Sequence, residues 1–128
     1  MAIIRSFRDL QAYQRTRIEV QRIFEMTKTF PRDEKFALTD QIRRSSRAVK
    51  SMIAEAWGHR RYVAAFASKL TDALGEATET QSWLDDALDC GYINTAQHRD
   101  LDNAWQGIGG MLNRMINKAD DFCRTSAR

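Results

Sequence analysis

A chain of 128 residues, 43% apolar and 29% charged, is long enough for one domain with a real core and has globular rather than disordered composition. One proline and six glycines suit long helices better than a sheet-rich fold, and the absence of any apolar run of about 18 residues excludes a membrane helix. The net charge of +3 hides an asymmetry: residues 1–71 carry 15 Lys/Arg against 7 Asp/Glu, whereas residues 72–128 carry 5 against 10.

Four segments in chain order show helical periodicity. Ser6, with Asp9 three residues on, is read as the cap of a first helix over about 7–29, with Leu10, Tyr13, Val20, Ile23, Phe24 and Thr27 facing inward. Phe30-Pro31 ends it, because the residue before a proline avoids the α region. Phe36 and Leu38, in the short link, are expected to plug the core. Thr39 is expected to cap a second helix over about 40–57, stopped by Gly58. Its stripe is Ile42, Ser46, Val49, Ile53 and Ala56, and the serines Ser45 and Ser46 imply close helix approach or backbone bonding.

The third helix, over about 62–90, carries Phe66, Leu70, Ala73, Leu74, Ala77, Gln81, Leu84 and Leu88, and Gly91 is a natural C′ residue. Thr95 is read as the cap of a fourth helix over about 96–123, whose stripe is Leu101, Trp105, Ile108, Leu112, Met115, Ala119 and Phe122, ahead of a frayed tail at 124–128. Gly107, Gly109 and Gly110 inside it signal either close helix packing or a kink. Short links make sequential helices antiparallel, so the fold class is all-α, a single up-down-up-down four-helix bundle over 1–128.

Catalytic signatures are missing. His59 and His98, the two histidines, form no His-x-x-x-His or Glu-x-x-His metal pattern, and no glycine-rich phosphate loop precedes a helix. Cys90 and Cys123 match no metal-ligand spacing and, with no secretory signal at the start, are expected to be reduced thiols in a cytoplasmic protein. Glu55, on the flank of the second helix with Arg44 and Ser51, is expected to form a structural ion pair. The expectation is a non-enzyme with no cofactor, no metal and no small-molecule substrate.

Charge patterning points instead to surfaces. Arg43, Arg47 and Lys50 fall within about 60° of one another on the second helix at 100° per residue, with Arg44 further round and Arg60 and Arg61 just beyond the helix. Such a row suits nucleic-acid phosphates. Arg8, Arg15 and Arg22, spaced by seven, form a second basic row. Asp72, Glu76, Glu79 and Asp86 form an acidic row on the third helix, with Trp83 among them. Two readings stay open: the rows dock neighbouring copies head to tail, or they neutralise each other inside one bundle.

A family resemblance rests on Phe7-Arg8-Asp9-Leu10, Phe30-Pro31 with Glu34, Phe36 and Leu38, Gln41-Ile42-Arg43-Arg44, Ser51, Ile53-Ala54-Glu55, Arg60, Phe66, Leu70, Ala73, Gly75, Glu79 and Gly91-Tyr92-Ile93. With these residues the chain resembles the small four-helix bundle proteins encoded within intervening sequences of bacterial 23S ribosomal RNA genes. It departs from their pattern at Lys50, Met52 and Ala56, where proline, asparagine and glycine are usual. The resemblance implies a ring-forming bundle, typically a homopentamer. It also implies kinship with the accessory protein of diversity-generating retroelements, which binds nucleic acid through a basic surface. The expected function is therefore a non-catalytic oligomeric bundle binding RNA or DNA phosphates, the alternative being an adaptor ring without nucleic-acid affinity.

Overall fold

The computed structural model describes residues 3–123, so the expected frayed tail lies outside the described residues. Four long helices carry the fold: α1 (Gln11–Thr27), α2 (Asp40–Gly58), α3 (Val63–Asp89) and α4 (Thr95–Asn117), with a short α5 (Ala119–Cys123) after a break at Lys118. Among the described residues there is no strand.

Side-chain ties fix the direction of each helix. Arg44 near the start of α2 reaches Glu79 of α3, while Glu55 near the end of α2 lies 3.8 Å from Lys69 near the start of α3. Between α3 and α4, His98 meets Asp85, Gln81 meets Asp102, and Leu74 lies against Gly109. Arg22 late in α1 contacts Asp100 early in α4. Partners therefore run in opposite senses across each seam, which is the up-down-up-down arrangement.

The core is built from Ile23, Ile42, Val49, Ile53, Phe66, Leu70, Leu84, Trp105, Ile108 and Leu112, all fully buried. The α2–α3 seam is lined by small residues, Ser45, Ser46 and Ala56 against Ala73, Ala77 and Thr80. That lets the hydroxyls of Ser45 and Thr80 meet at 2.8 Å, while both serines also bond backbone carbonyls of their own helix. Close approach and backbone bonding thus occur together.

Several local expectations are corrected. Ser6 and Asp9 do form a capping box, but over a 3-10 turn at Phe7–Asp9. Leu10 is extended and buried, which delays the start of α1 to Gln11. Thr39 makes no cap bond, because a π-helical turn (Lys35–Thr39) runs straight into α2 and already occupies the backbone donors there. Gly58 is the last residue of α2, not the one that stops it. Asn94, not Thr95, caps α4, in a reciprocal pair with Gln97.

Phe36 does not plug the core. It is 75% exposed, whereas Leu38 is buried. Two residues apart on a helical turn point about 200° apart, so only one of them can face inward. Gly91 behaves as expected: at φ +77 it lets Tyr92 N–H bond Ala87 O and its own N–H bond Leu88 O, closing α3. Gly109 is the position where α4 approaches α3, and α4 stays helical through all three of its glycines.

Candidate nucleic-acid interface

The end of α1 and the start of α2 meet at one corner of the bundle. Phe24, half-buried on α1, presents its ring to the arginines of α2. Around that ring sit Arg43 at 4.7 Å, Lys28 at 5.0 Å and Arg47 at 5.6 Å from the centroid. Arg43 and Arg47 are one turn apart on α2, so both lean the same way. Arg43 Nε also donates to Thr27 Oγ1 at 2.7 Å, which fixes its guanidinium. A cation over an aromatic face gains about 0.5–1 kcal/mol at an exposed site, and it keeps its charge.

Carboxylates nearby are engaged elsewhere. Glu25 pairs with Lys28, and Asp40 lies 3.7 Å from Lys35. Among the described residues no carboxylate pairs with Arg43 or Arg47. A shallow cleft of about 540 Å³, lined by Asp40, Arg43, Arg44, Arg47, Ala48 and Ser51, runs along this face of α2. Lys50, half-buried, continues the same side of the helix.

The other basic candidates separate from this corner. Arg44 points to α3 and bonds Glu76 at 3.1 Å and Glu79 at 2.6 Å. Glu76 first, then Glu79, holds its guanidinium above the usual arginine range. Arg60 lies at the opposite end of α2, about 25 Å along the helix from Arg43. There it stacks 3.4 Å over the Trp57 ring and donates to Trp57 O. Arg61 beside it is exposed.

The two rows expected to dock between chains are mostly used within this one. Arg15 and Arg22 clamp Glu19 at 3.2 and 2.9 Å, and Arg22 also pairs with Asp100. Partial burial pulls the Arg22 guanidinium down, but Glu19 and Asp100 together raise it above its ordinary value. Arg8 lies 4.5 Å over the Phe7 ring. On α3, Glu76 and Glu79 hold Arg44, and Asp72 lies near Lys69. Asp86, exposed, is the member of that row with no ion pair among the described residues. Trp83 is half-buried against the core and donates Nε1–H to Glu79 at 3.1 Å. Glu55 pairs with Lys69 rather than Arg44, because Arg44 lies three turns nearer the start of α2.

Sequence reasoning missed the buried carboxylate of Glu19, which is 1% exposed. Its signal was present: arginines four residues before and three after it, on a buried stripe of Ala12, Thr16, Glu19, Val20, Ile23 and Thr27. It also missed the pin at Tyr92, whose hydroxyl donates to Glu34 Oε2 at 2.6 Å while its ring meets Phe30. Burial, first among its causes, pushes the Cys123 thiol up. Neither Cys90 nor Cys123 is in a disulfide, and among the described residues no three His, Cys, Asp or Glu side chains group as a metal site. No helix of the described residues is long and apolar enough to cross a membrane.

An antiparallel four-helix bundle with a cationic corner at one end defines a small all-helical protein whose distinctive chemistry lies on its surface. Residues 8–114 match the family described as 23S rRNA-intervening sequence protein, and the chain belongs to that family. It is also similar to a solved structure from Bacteroides thetaiotaomicron, a protein with unknown function from the S23 ribosomal protein family. The two share 29% identity and a TM-score of 0.75, over 83% of this chain and 95% of that one. No curated protein matches the chain.

Proposed function

We propose that the protein is a non-catalytic bundle that binds the phosphate backbone of RNA or DNA through the Arg43–Arg47 corner, and that it acts as a homo-oligomer, with the pentamer the form its family resemblance implies. One observation carries the reading: the guanidiniums of Arg43 and Arg47 converge within 5.6 Å of the Phe24 centroid beside Lys28, which is paired with Glu25, and among the described residues neither guanidinium has a carboxylate partner. Like charges held together repel, and an incoming phosphate relieves that repulsion while releasing its own counterions. Each side chain acts as a phosphate contact and reads no base. Lys50 extends the corner, and Arg61 adds charge at the far end. Arg44 contributes little, because Glu76 and Glu79 already neutralise it.

A second reading, an adaptor ring without nucleic-acid affinity, draws support from the same neutralisation. So many of the basic residues are paired internally that the free cationic surface is smaller than the composition suggests.

Salt titration separates the two. Anisotropy of a short mixed-sequence RNA, measured upward from about 50 mM salt, should show affinity falling steeply with ionic strength. Arg43→Ala with Arg47→Ala should reduce the log–log slope by about 1.4–1.8, two contacts at 0.7–0.9 each. Light scattering on the same samples should give an unchanged mass. No binding at about 50 mM salt, or an undiminished slope in the double variant, overturns the phosphate reading in favour of the adaptor.

A further inference from the structure

Phe36 has no role in the core. It is 75% exposed, the most exposed of the large apolar side chains among the described residues. It is not on a loose loop, because the π-helical turn that carries it is continuous with α2, and Gln41 donates to its carbonyl at 3.4 Å. An aromatic ring displayed to water on a hydrogen-bonded turn offers a stacking surface whose position is set by the backbone.

Its position relative to the cations is what gives it meaning. Phe36 precedes Arg43 by seven residues and Arg47 by eleven, at the start of the continuous helical stretch that carries all three. The axial separation of Phe36 and Arg43 is about 10 Å. Lys35 Nζ lies 5.3 Å from the Phe36 ring, and Lys35 reaches Asp40, which stands between the ring and the arginines. An exposed aromatic ring with one cation over it, followed by two more on the same helical stretch, has the composition of a single-strand site: a ring on which a base stacks and charges that follow the backbone.

We propose that the ligand of this corner is single-stranded nucleic acid, with an unpaired base stacked on Phe36 while the adjoining phosphates lie against Arg43, Arg47 and Lys28. A duplex keeps its bases stacked on one another and offers only its phosphates, so it gains nothing from the ring. The site therefore discriminates strandedness with no base-specific hydrogen bond. The inference rests on the phosphate-binding reading and adds to it the class of ligand.

The experiment compares a short mixed-sequence RNA as a single strand and annealed to its complement. Wild type should favour the single strand, and Phe36→Ala should weaken single-strand binding on the order of 5- to 100-fold, leaving duplex binding and the salt slope unchanged. Phe36→Trp should keep the preference, because it keeps the stacking surface. The exposed position makes either variant safe for folding, which circular dichroism checks.

Equal binding of strand and duplex by wild type, or no effect of Phe36→Ala, overturns the stacking site while leaving the phosphate corner in place. Absence of any binding by wild type removes both. A lower light-scattering mass for Phe36→Ala would assign the ring to a contact between copies of the chain and overturn the proposal in that direction.

Discussion

Glu19 offers the sharpest test of how charge is held inside this bundle. It is 1% exposed, and the guanidiniums of Arg15 and Arg22 that reach it are 49% and 37% exposed. The arrangement is lopsided: the acid cannot reach water, whereas its two partners can. Arg15→Ala with Arg22→Ala strands a buried carboxylate and should cost about 3–5 kcal/mol. Glu19→Gln alone should cost only about 1 kcal/mol, since both arginines can turn outward and Arg22 keeps Asp100. Adding Glu19→Gln to the double arginine variant removes the stranded charge at nearly constant volume, and should recover about 2 kcal/mol or more. The lost Arg22–Asp100 pair cancels, being absent from both backgrounds. Urea unfolding followed by circular dichroism measures all four species, and the recovery corresponds to about 8 °C in melting temperature. A triple variant no more stable than the double would refute the claim that burial of Glu19 depends on its two guanidiniums.

Two further expectations follow from local geometry. The bond from Tyr92 to Glu34, the largest cause, pushes the Tyr92 phenol up from 10.0 to about 12. A raised folded value means that its contribution to stability is complete below pH about 10 and is lost as pH rises toward about 12. Phenolate absorbance should show one of the three tyrosines titrating last, and Tyr92→Phe should abolish that late step together with the stability decline. In α4, a Cβ on Gly107 meets nothing within 4 Å, so Gly107→Ala should stabilise by about 0.8–1 kcal/mol. At Gly109 the first added atom already sits 3.4 Å from Leu74 Cδ1, so Gly109→Leu should destabilise by about 1–3 kcal/mol. Thermal melts of the two variants should move in opposite directions.

The architecture was legible because the apolar spacing of α2, α3 and α4 is unambiguous and Gly91 marks a helix end that only a left-handed residue can make. Errors came where two residues compete for one role. Asn94 and Thr95 are both good caps, and the decisive sign, Gln97 three residues after Asn94, was available but unused. Phe36 and Leu38 were both given to the core, although their spacing forbids it. Thr39 was not recoverable, since nothing local announces a π-helical turn that feeds the next helix. The α1 stripe of Leu10, Val20, Ile23 and Thr27 is buried as its spacing predicts, Tyr13 and Phe24 are half-buried, and Glu19 escapes the pattern because a glutamate reads as a surface residue until its arginine partners are placed beside it.

The fate of the basic residues shows why composition alone could not locate the site. Arg43 and Arg44 are sequence neighbours with the same chemistry, yet about 100° of rotation sends one to α1 and the other to α3. What waits on α3 is Glu76 and Glu79, so Arg44 is neutralised there. What waits on α1 is Phe24 and Thr27, which hold a guanidinium in place without cancelling its charge, beside a Lys28 already paired with Glu25. The acidic half of the chain therefore quenches the α3-facing arginine of α2 and leaves the α1-facing pair, Arg43 and Arg47, without a carboxylate among the described residues. A surface potential survives folding only where the neighbouring helix offers an aromatic instead of a carboxylate, and on α2 that condition is met at Phe24.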